Sequence, residues 1–92
     1  SMINFGDFQN LNLRLAKIIE AEKISGSKKL LKLKIDLGEN FSTNPEERER
    51  QIVAGIGKFY QPEELVEREI IIVADLEPRE IMGFSSQGML LA

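Results

Sequence analysis

The sequence predicts an all-β fold: a small barrel of five short strands, with one short helix between the third and the fourth. Three observations carry that prediction. A chain of 92 residues can enclose one core and not two, and 11 Leu and 11 Ile with no Trp make that core aliphatic. Leu31, Leu33, Ile35 and Leu37 alternate with Lys32, Lys34 and Asp36, the period-two pattern of a strand with one dry and one wet face. Gly, Pro and Ser clusters recur between short apolar runs, which is the punctuation of a small barrel or sandwich.

The first strand spans Leu11 to Ala21. Ser25-Gly26-Ser27 then forms a turn, Lys28 and Lys29 follow, and a second strand runs from Leu30 to Leu37 before Gly38 ends it. Glu39 to Arg50 is polar, contains Asn44-Pro45 and reads as an exposed loop. A third strand, Gln51 to Ile56, is stopped by Gly55 and Gly57. Pro62-Glu63-Glu64-Leu65-Val66 opens a short helix, because proline suits the first helical position and the acids face the positive end of the helix dipole. Glu69 to Ala74 is nearly all Ile and Val and makes a heavily buried fourth strand. Glu77-Pro78-Arg79 starts another loop that continues past Gly83 and Ser85-Ser86, and Gly88 to Ala92 is a fifth strand. Phe5, Phe8 and Phe59 fall among apolar neighbours and are expected in or over the core, which leaves Tyr60 and Phe84 as candidates for exposure.

Five strands in this order, with the helix where it is, fit a barrel of the oligonucleotide/oligosaccharide-binding (OB) type. The helix would close one open end with Leu65 and Val66, and closure removes sheet edges that so small a chain could hardly protect. In such barrels ligands lie across strands two and three, between the loop joining strands one and two and the loop joining strands four and five. The first loop brings Lys28 and Lys29, the wet face of strand two brings Lys32 and Lys34, and the later loop brings Arg79, Ser85, Ser86 and Gln87. Ammonium and guanidinium groups neutralise phosphates, while hydroxyl and amide groups fix register on a nucleic-acid backbone. The net charge is −3, yet it is unevenly spread. Between Arg14 and Lys34 seven basic residues (Arg14, Lys17, Lys23, Lys28, Lys29, Lys32, Lys34) stand against Glu20 and Glu22 alone, and a polyanion responds to the local field rather than the total. Five Phe and one Tyr are few for a platform that stacks single-stranded bases, so the expected ligand is folded RNA recognised by shape and phosphates.

Other functions are disfavoured by composition. The chain has no Cys and no His, which removes disulfides, thiolate chemistry, the commonest metal ligand and the commonest general base. Glu46-Glu47 and Glu63-Glu64 are accounted for as loop and helix-start charges, and the 39–50 loop lacks calcium-loop spacing. Ser85-Ser86 has no base near it in sequence. No catalytic residue, cofactor or metal site is expected. No apolar run approaches the ~18 residues of a membrane span and no signal peptide is visible, so the expected location is cytoplasmic with no membrane partner. Ser1 ahead of Met2 reads as a cloning scar.

Longer motifs add a resemblance. Asp7-Phe8 with Leu13-Arg14-Leu15 and the run Lys29 to Gly38 resemble the start of the tRNA-binding OB domain found at the C-terminus, or as a detached subunit, of methionyl-tRNA synthetases. Arg50-Gln51-Ile52-Val53-Ala54-Gly55-Ile56 and Lys58-Phe59-Tyr60-Gln61-Pro62-Glu63-Glu64-Leu65-Val66 resemble its middle. Val73 to Arg79 and Met82 to Leu91 resemble its end. The same domain occurs in stand-alone tRNA-binding proteins and in endothelial monocyte-activating polypeptide II. The resemblance implies a single domain over residues 1–92 that binds tRNA by its folded shape, with little sequence preference, and assists aminoacylation without catalysing it. The implied partners are tRNA and the catalytic subunit or domain of methionyl-tRNA synthetase. The family's Ser-x-Gly-Met segment matches Ser86, Gly88 and Met89, and its basic positions match Arg14, Lys29, Lys32, Lys58 and Arg79. Met89 could instead line the barrel, and Arg14 could be a structural ion-pair partner.

Three departures bear on those expectations. Ala16 stands where the family has Gly, so the bulge in strand one should be less sharp. The acidic 39–50 loop and Glu67-Arg68-Glu69 reduce positive surface. Many relatives continue past this point into a tail that helps form a dimer, which leaves a homodimer open here. The alternative function is a protein–protein module that tethers a synthetase complex, or a cytokine-like fragment.

Overall fold

The chain is seen in a computed structural model that describes residues 13–74 and 78–90. Phe5, Phe8, the start of the first strand at Leu11, Glu77 and the end of the fifth strand at Ala92 lie outside the described residues. The elements are β1 (Leu13–Lys23), β2 (Leu31–Asp36), α1 (Pro45–Arg48), β3 (Glu49–Ala54), α2 (Pro62–Leu65), β4 (Glu69–Val73), β5 (Arg79–Ile81), β6 (Phe84–Ser86) and β7 (Met89–Leu90). Five strands form one antiparallel sheet in the order β3-β2-β1-β4-β7, and β5 pairs with β6 in a separate hairpin.

The sheet curls until β3 meets the β6–β7 segment, and hydrogen bonds join the two margins. Gln87 N donates to Gln51 O (2.8 Å), Gln51 N to Gln87 Oε1 (3.1 Å), Gln51 Nε2 to Ser85 O (2.8 Å) and Val53 N to Ser86 Oγ (2.9 Å). Inward residues fill the interior: Ala16 and Ile18 from β1, Leu31, Leu33 and Ile35 from β2, Ile52 from β3, and Ile72 from β4 are all buried. The mostly-β, nearly closed barrel expected from the sequence is the observed architecture.

β1 carries a bulge between Ile18 and Glu20. An inserted residue reverses which side chains face inward: before it Ile18 opposes Ile35, and after it Ala21 opposes Leu33 while Glu20 and Glu22 oppose Lys34 and Lys32. Ala16 does not prevent the bulge. At Ile18 the strand leaves β4 as its partner: Ile18 N donates to Arg68 O (2.9 Å) and Glu67 N to Ile18 O (2.7 Å).

Four local expectations are corrected. The 39–50 segment is not simply a loop: α1 occupies Pro45–Arg48, with the Asn44 side chain accepting from Glu46 N at 3.0 Å and Pro45 in its first turn, and β3 begins at Glu49. Past Pro78 the chain forms the β5–β6 hairpin, turned by Met82 (φ 49°) and Gly83 (φ 82°). Two successive positive φ values match the right-handed twist of paired strands. Of the two residues assigned to plug the barrel, Leu65 is buried, whereas Val66 is 38% exposed because the chain leaves helical geometry there. Phe59 is not a core residue; it is 78% exposed.

Candidate functional site

The sequence-derived cations separate into two settings. Lys28 and Lys29 stand on the loop between β1 and β2. That loop turns at Gly26 (φ 86°) and is braced by Ser27, whose Oγ accepts from Leu30 N (3.0 Å) and Lys29 N (3.4 Å). Lys58 stands on the loop between β3 and α2. The two loops are joined by one main-chain bond, Gly57 N donating to Lys29 O at 2.7 Å. A Cβ on Gly57 would come within 2.9 Å of that carbonyl oxygen, so only glycine allows the approach. The result brings Lys28, Lys29 and Lys58 to one rim of the barrel, all three exposed. Among the described residues none of the three forms an ion pair.

The hairpin reaches the same rim. A Cβ on Gly26 would lie 3.6 Å from Met82 Cε, so the β5–β6 turn rests close to the lysine loop. Further down the hairpin the Phe84 ring lies 4.5 Å from Lys32 Nζ, a cation–π contact.

On the strand face the lysines are engaged. Lys32 Nζ is 2.7 Å from Glu22 Oε1, and Lys34 Nζ is 3.9 Å from Glu20 Oε2 and 3.3 Å from Glu49 Oε1. Two ammonium groups thus meet three carboxylates, and the face expected to be cationic is a cross-strand ladder of paired charges. The cause is register. The bulge turns Glu20 and Glu22 to the lysine side, and antiparallel pairing sets each opposite its lysine. A groove of about 710 Å³ runs over this ladder, bordered by Glu20, Glu22, Lys32, Lys34, Glu49 and Gln87.

The remaining assigned residues are dispersed. Ser86 is 4% exposed, and its hydroxyl accepts from Val53 N and donates to Gly88 O (3.4 Å). It is turned into the barrel seam. Arg79 pairs with Ser86 at the base of the hairpin and is exposed. Arg14 lies near the opposite end of β1, roughly 30 Å of extended strand from Lys23. Its guanidinium stands 5.0 Å from the Phe41 ring centroid, which Arg50 approaches from 5.2 Å while donating to Ala74 O (2.8 Å). Met89 is 48% exposed and continues a cross-strand row with Val73 and Leu13, beside Leu15 and Ile71, which are also exposed.

Two features of the site were not read from the sequence. The ladder was legible in principle, since Glu20-Ala21-Glu22 repeats in antiphase the spacing of Lys32-Leu33-Lys34. The exposure of Phe59 follows from a tight turn, in which Phe59 N and Tyr60 N both donate to Ile56 O (3.0 and 3.1 Å), and apolar neighbours in sequence gave no sign of it.

Comparison with known proteins agrees with a nucleic-acid role. A family model described as "Putative tRNA binding domain" matches residues 13–92. Methionine–tRNA ligase of Caldanaerobacter subterraneus subsp. tengcongensis is 53% identical over 90 residues, covering 98% of this chain and 13% of that protein. The chain therefore spans about an eighth of the length of such relatives. Among solved structures, a MetRS related protein from Pyrococcus horikoshii superposes with a TM-score of 0.79 at 35% identity, covering 99% of this chain and 76% of that one. The chaperone CsaA of Bacillus anthracis gives a TM-score of 0.78 at 33% identity, with coverage of 99% and 76%.

Proposed function

The chain belongs to the putative tRNA-binding domain family, and from that membership we propose that it binds folded tRNA through phosphate contacts and shape, with little dependence on base sequence. It acts as a non-catalytic accessory, either a domain or a detached subunit, of a methionyl-tRNA synthetase in the cytoplasm. The whole of residues 1–92 works as one domain. The observation that supports this reading is the gathering of Lys28, Lys29 and Lys58 on two loops stapled by the Gly57–Lys29 bond. Free ammonium groups on a braced rim can replace the counterions of two or three neighbouring phosphates, and Arg79 adds a further contact along the hairpin. The paired lysines Lys32 and Lys34 contribute less, because a phosphate must displace a carboxylate to reach them. Arg14 and Met89 reach tRNA only if it wraps beyond the rim.

A titration of tRNA against unstructured RNA of equal length, at two ionic strengths, tests this. Tighter binding of tRNA is expected, with log affinity falling by about 3.5 per log unit of salt if four phosphates are neutralised. Equal binding of the two RNAs, or no salt dependence, would overturn it.

A second reading rests on a different face. Leu15 is 64% exposed, and Ile71 and Met89 are about half exposed on the neighbouring strands. An apolar surface of this kind suits contact with a synthetase body or with another copy of the chain. It leaves the lysine rim open, so it accompanies RNA binding rather than replacing it.

A further inference from the structure

We propose that Phe59 is a stacking platform for an unpaired nucleobase of the bound RNA, with Lys58 and Lys29 holding the phosphates on either side of that nucleotide. The proposal rests on the tRNA-binding reading and adds to it a preference for a base that is free to leave its helix.

Phe59 is the most exposed of the described large apolar side chains, at 78%. Single exposed apolar residues are common and need no purpose, but this ring has three properties that set it apart. It is held on rigid backbone: Phe59 N and Tyr60 N share the Ile56 carbonyl, and Gly57 is tied to Lys29. Beyond it, Pro62 opens α2, and Gln61 N donates to Glu64 Oε1 (2.9 Å). Little conformational entropy is therefore lost when a ligand settles on the ring. It stands beside cations, with Lys58 adjacent in the chain and Lys29 across the stapled loops, where an apolar protein surface would be poorly matched and a nucleotide well matched. Its neighbour Tyr60 is 36% exposed, with the Arg68 guanidinium 5.5 Å from its ring, so the turn presents a second aromatic beside a second type of cation. Aromatic rings accept any base, since every base has a π-face, which keeps the contact compatible with weak sequence preference.

The experiment compares Phe59→Ala, Phe59→Leu and Phe59→Trp with the parent chain. The probes are tRNA and a fully paired RNA duplex with the same number of phosphates. The chain contains no Trp, so Phe59→Trp carries the sole indole and reports stacking by fluorescence. Thermal midpoints are expected to match the parent, because the side chain is outside the core. Phe59→Ala and Phe59→Leu are expected to lose roughly tenfold in tRNA affinity, with the salt slope and the duplex affinity unchanged. Phe59→Trp is expected to keep tRNA affinity and to be quenched by tRNA, not by duplex. Full tRNA affinity in Phe59→Ala, or in Phe59→Leu, would overturn the stacking role while leaving tRNA binding intact. A parent chain that fails to bind tRNA would overturn both. Self-association of the parent that Phe59→Ala abolishes would assign the ring to contact between copies, and would also overturn it.

Discussion

Lys32 and Lys34 on the strands, and Lys28, Lys29 and Lys58 on the loops, are the same side chain in two settings. On the strands the antiparallel register fixes a neighbour for every outward position, and the bulge between Ile18 and Glu20 makes those neighbours Glu20 and Glu22. On the loops there is no ladder and so no obligatory neighbour. The Gly57–Lys29 bond instead brings like charges to one rim, an arrangement that favours an anionic ligand over self-pairing. Positive charge in the sequence thus divides between sheet cohesion and ligand attraction, according to whether the backbone supplies a partner.

The largest expected effect breaks the rim. Changing Lys28, Lys29 and Lys58 together to Glu should lower tRNA affinity at low salt by roughly a thousandfold, since each charge-assisted contact contributes about 1.5 kcal/mol. Filter binding reads the loss. An unchanged thermal midpoint would show that folding is intact, as expected for exposed residues with no ion pair among those described.

The next effect separates the seam from the rim. Ser86→Ala removes the acceptor of Val53 N and leaves a buried N–H without its partner, at a cost of about 1–3 kcal/mol. Urea unfolding should show the loss while the salt slope of tRNA binding stays constant. Weaker RNA binding with undiminished stability would instead make Ser86 a direct contact. Gly57→Ala acts between the two regions. Its Cβ would crowd the Lys29 carbonyl at 2.9 Å, so the loops must part, costing about 1–2 kcal/mol and lowering tRNA affinity several-fold.

The smallest effect sharpens the contrast. Glu20→Gln with Glu22→Gln frees Lys32 and Lys34 from two of their carboxylates. Exposed pairs of this kind contribute under about 1 kcal/mol, so stability should barely change on urea unfolding. Affinity for tRNA should rise about threefold as the ladder turns net positive.

The barrel was legible because its signals are local and repeated. The alternation of Leu31 to Leu37 and the Pro62-Glu63-Glu64 helix start each specify an element without outside help. Asn44-Pro45-Glu46-Glu47 carries the same helix-start chemistry and was missed only because its segment is so polar. The β5–β6 hairpin was hidden for a different reason. Its turn asks Met82 to adopt φ 49°, a conformation that residues other than Gly, Asn and Asp seldom take, so Gly83 beside it reads as loop punctuation rather than as half of a two-residue hairpin turn. Within the site, Lys28 and Lys29 could be placed from the loop position alone. The pairing of Lys32 and Lys34 was legible only as the antiphase spacing of Glu20 and Glu22; its register is set by a one-residue bulge that no local signal marks. Ser86 is placed by the fold rather than by its sequence neighbours: a hydroxyl in a loop-like stretch is claimed by the strand beside it, where Val53 N needs an acceptor.

The most direct test compares salt slopes. One variant changes Lys28, Lys29 and Lys58 to Gln, and another changes Lys32 and Lys34 to Gln. Log affinity for tRNA is measured against log salt for each and for the parent. The rim variant should lose about two to three units of slope, close to one for each phosphate contact removed, while the ladder variant stays within about half a unit of the parent. A ladder variant that loses as much slope per lysine as the rim variant would contradict the division of charge on which this account rests.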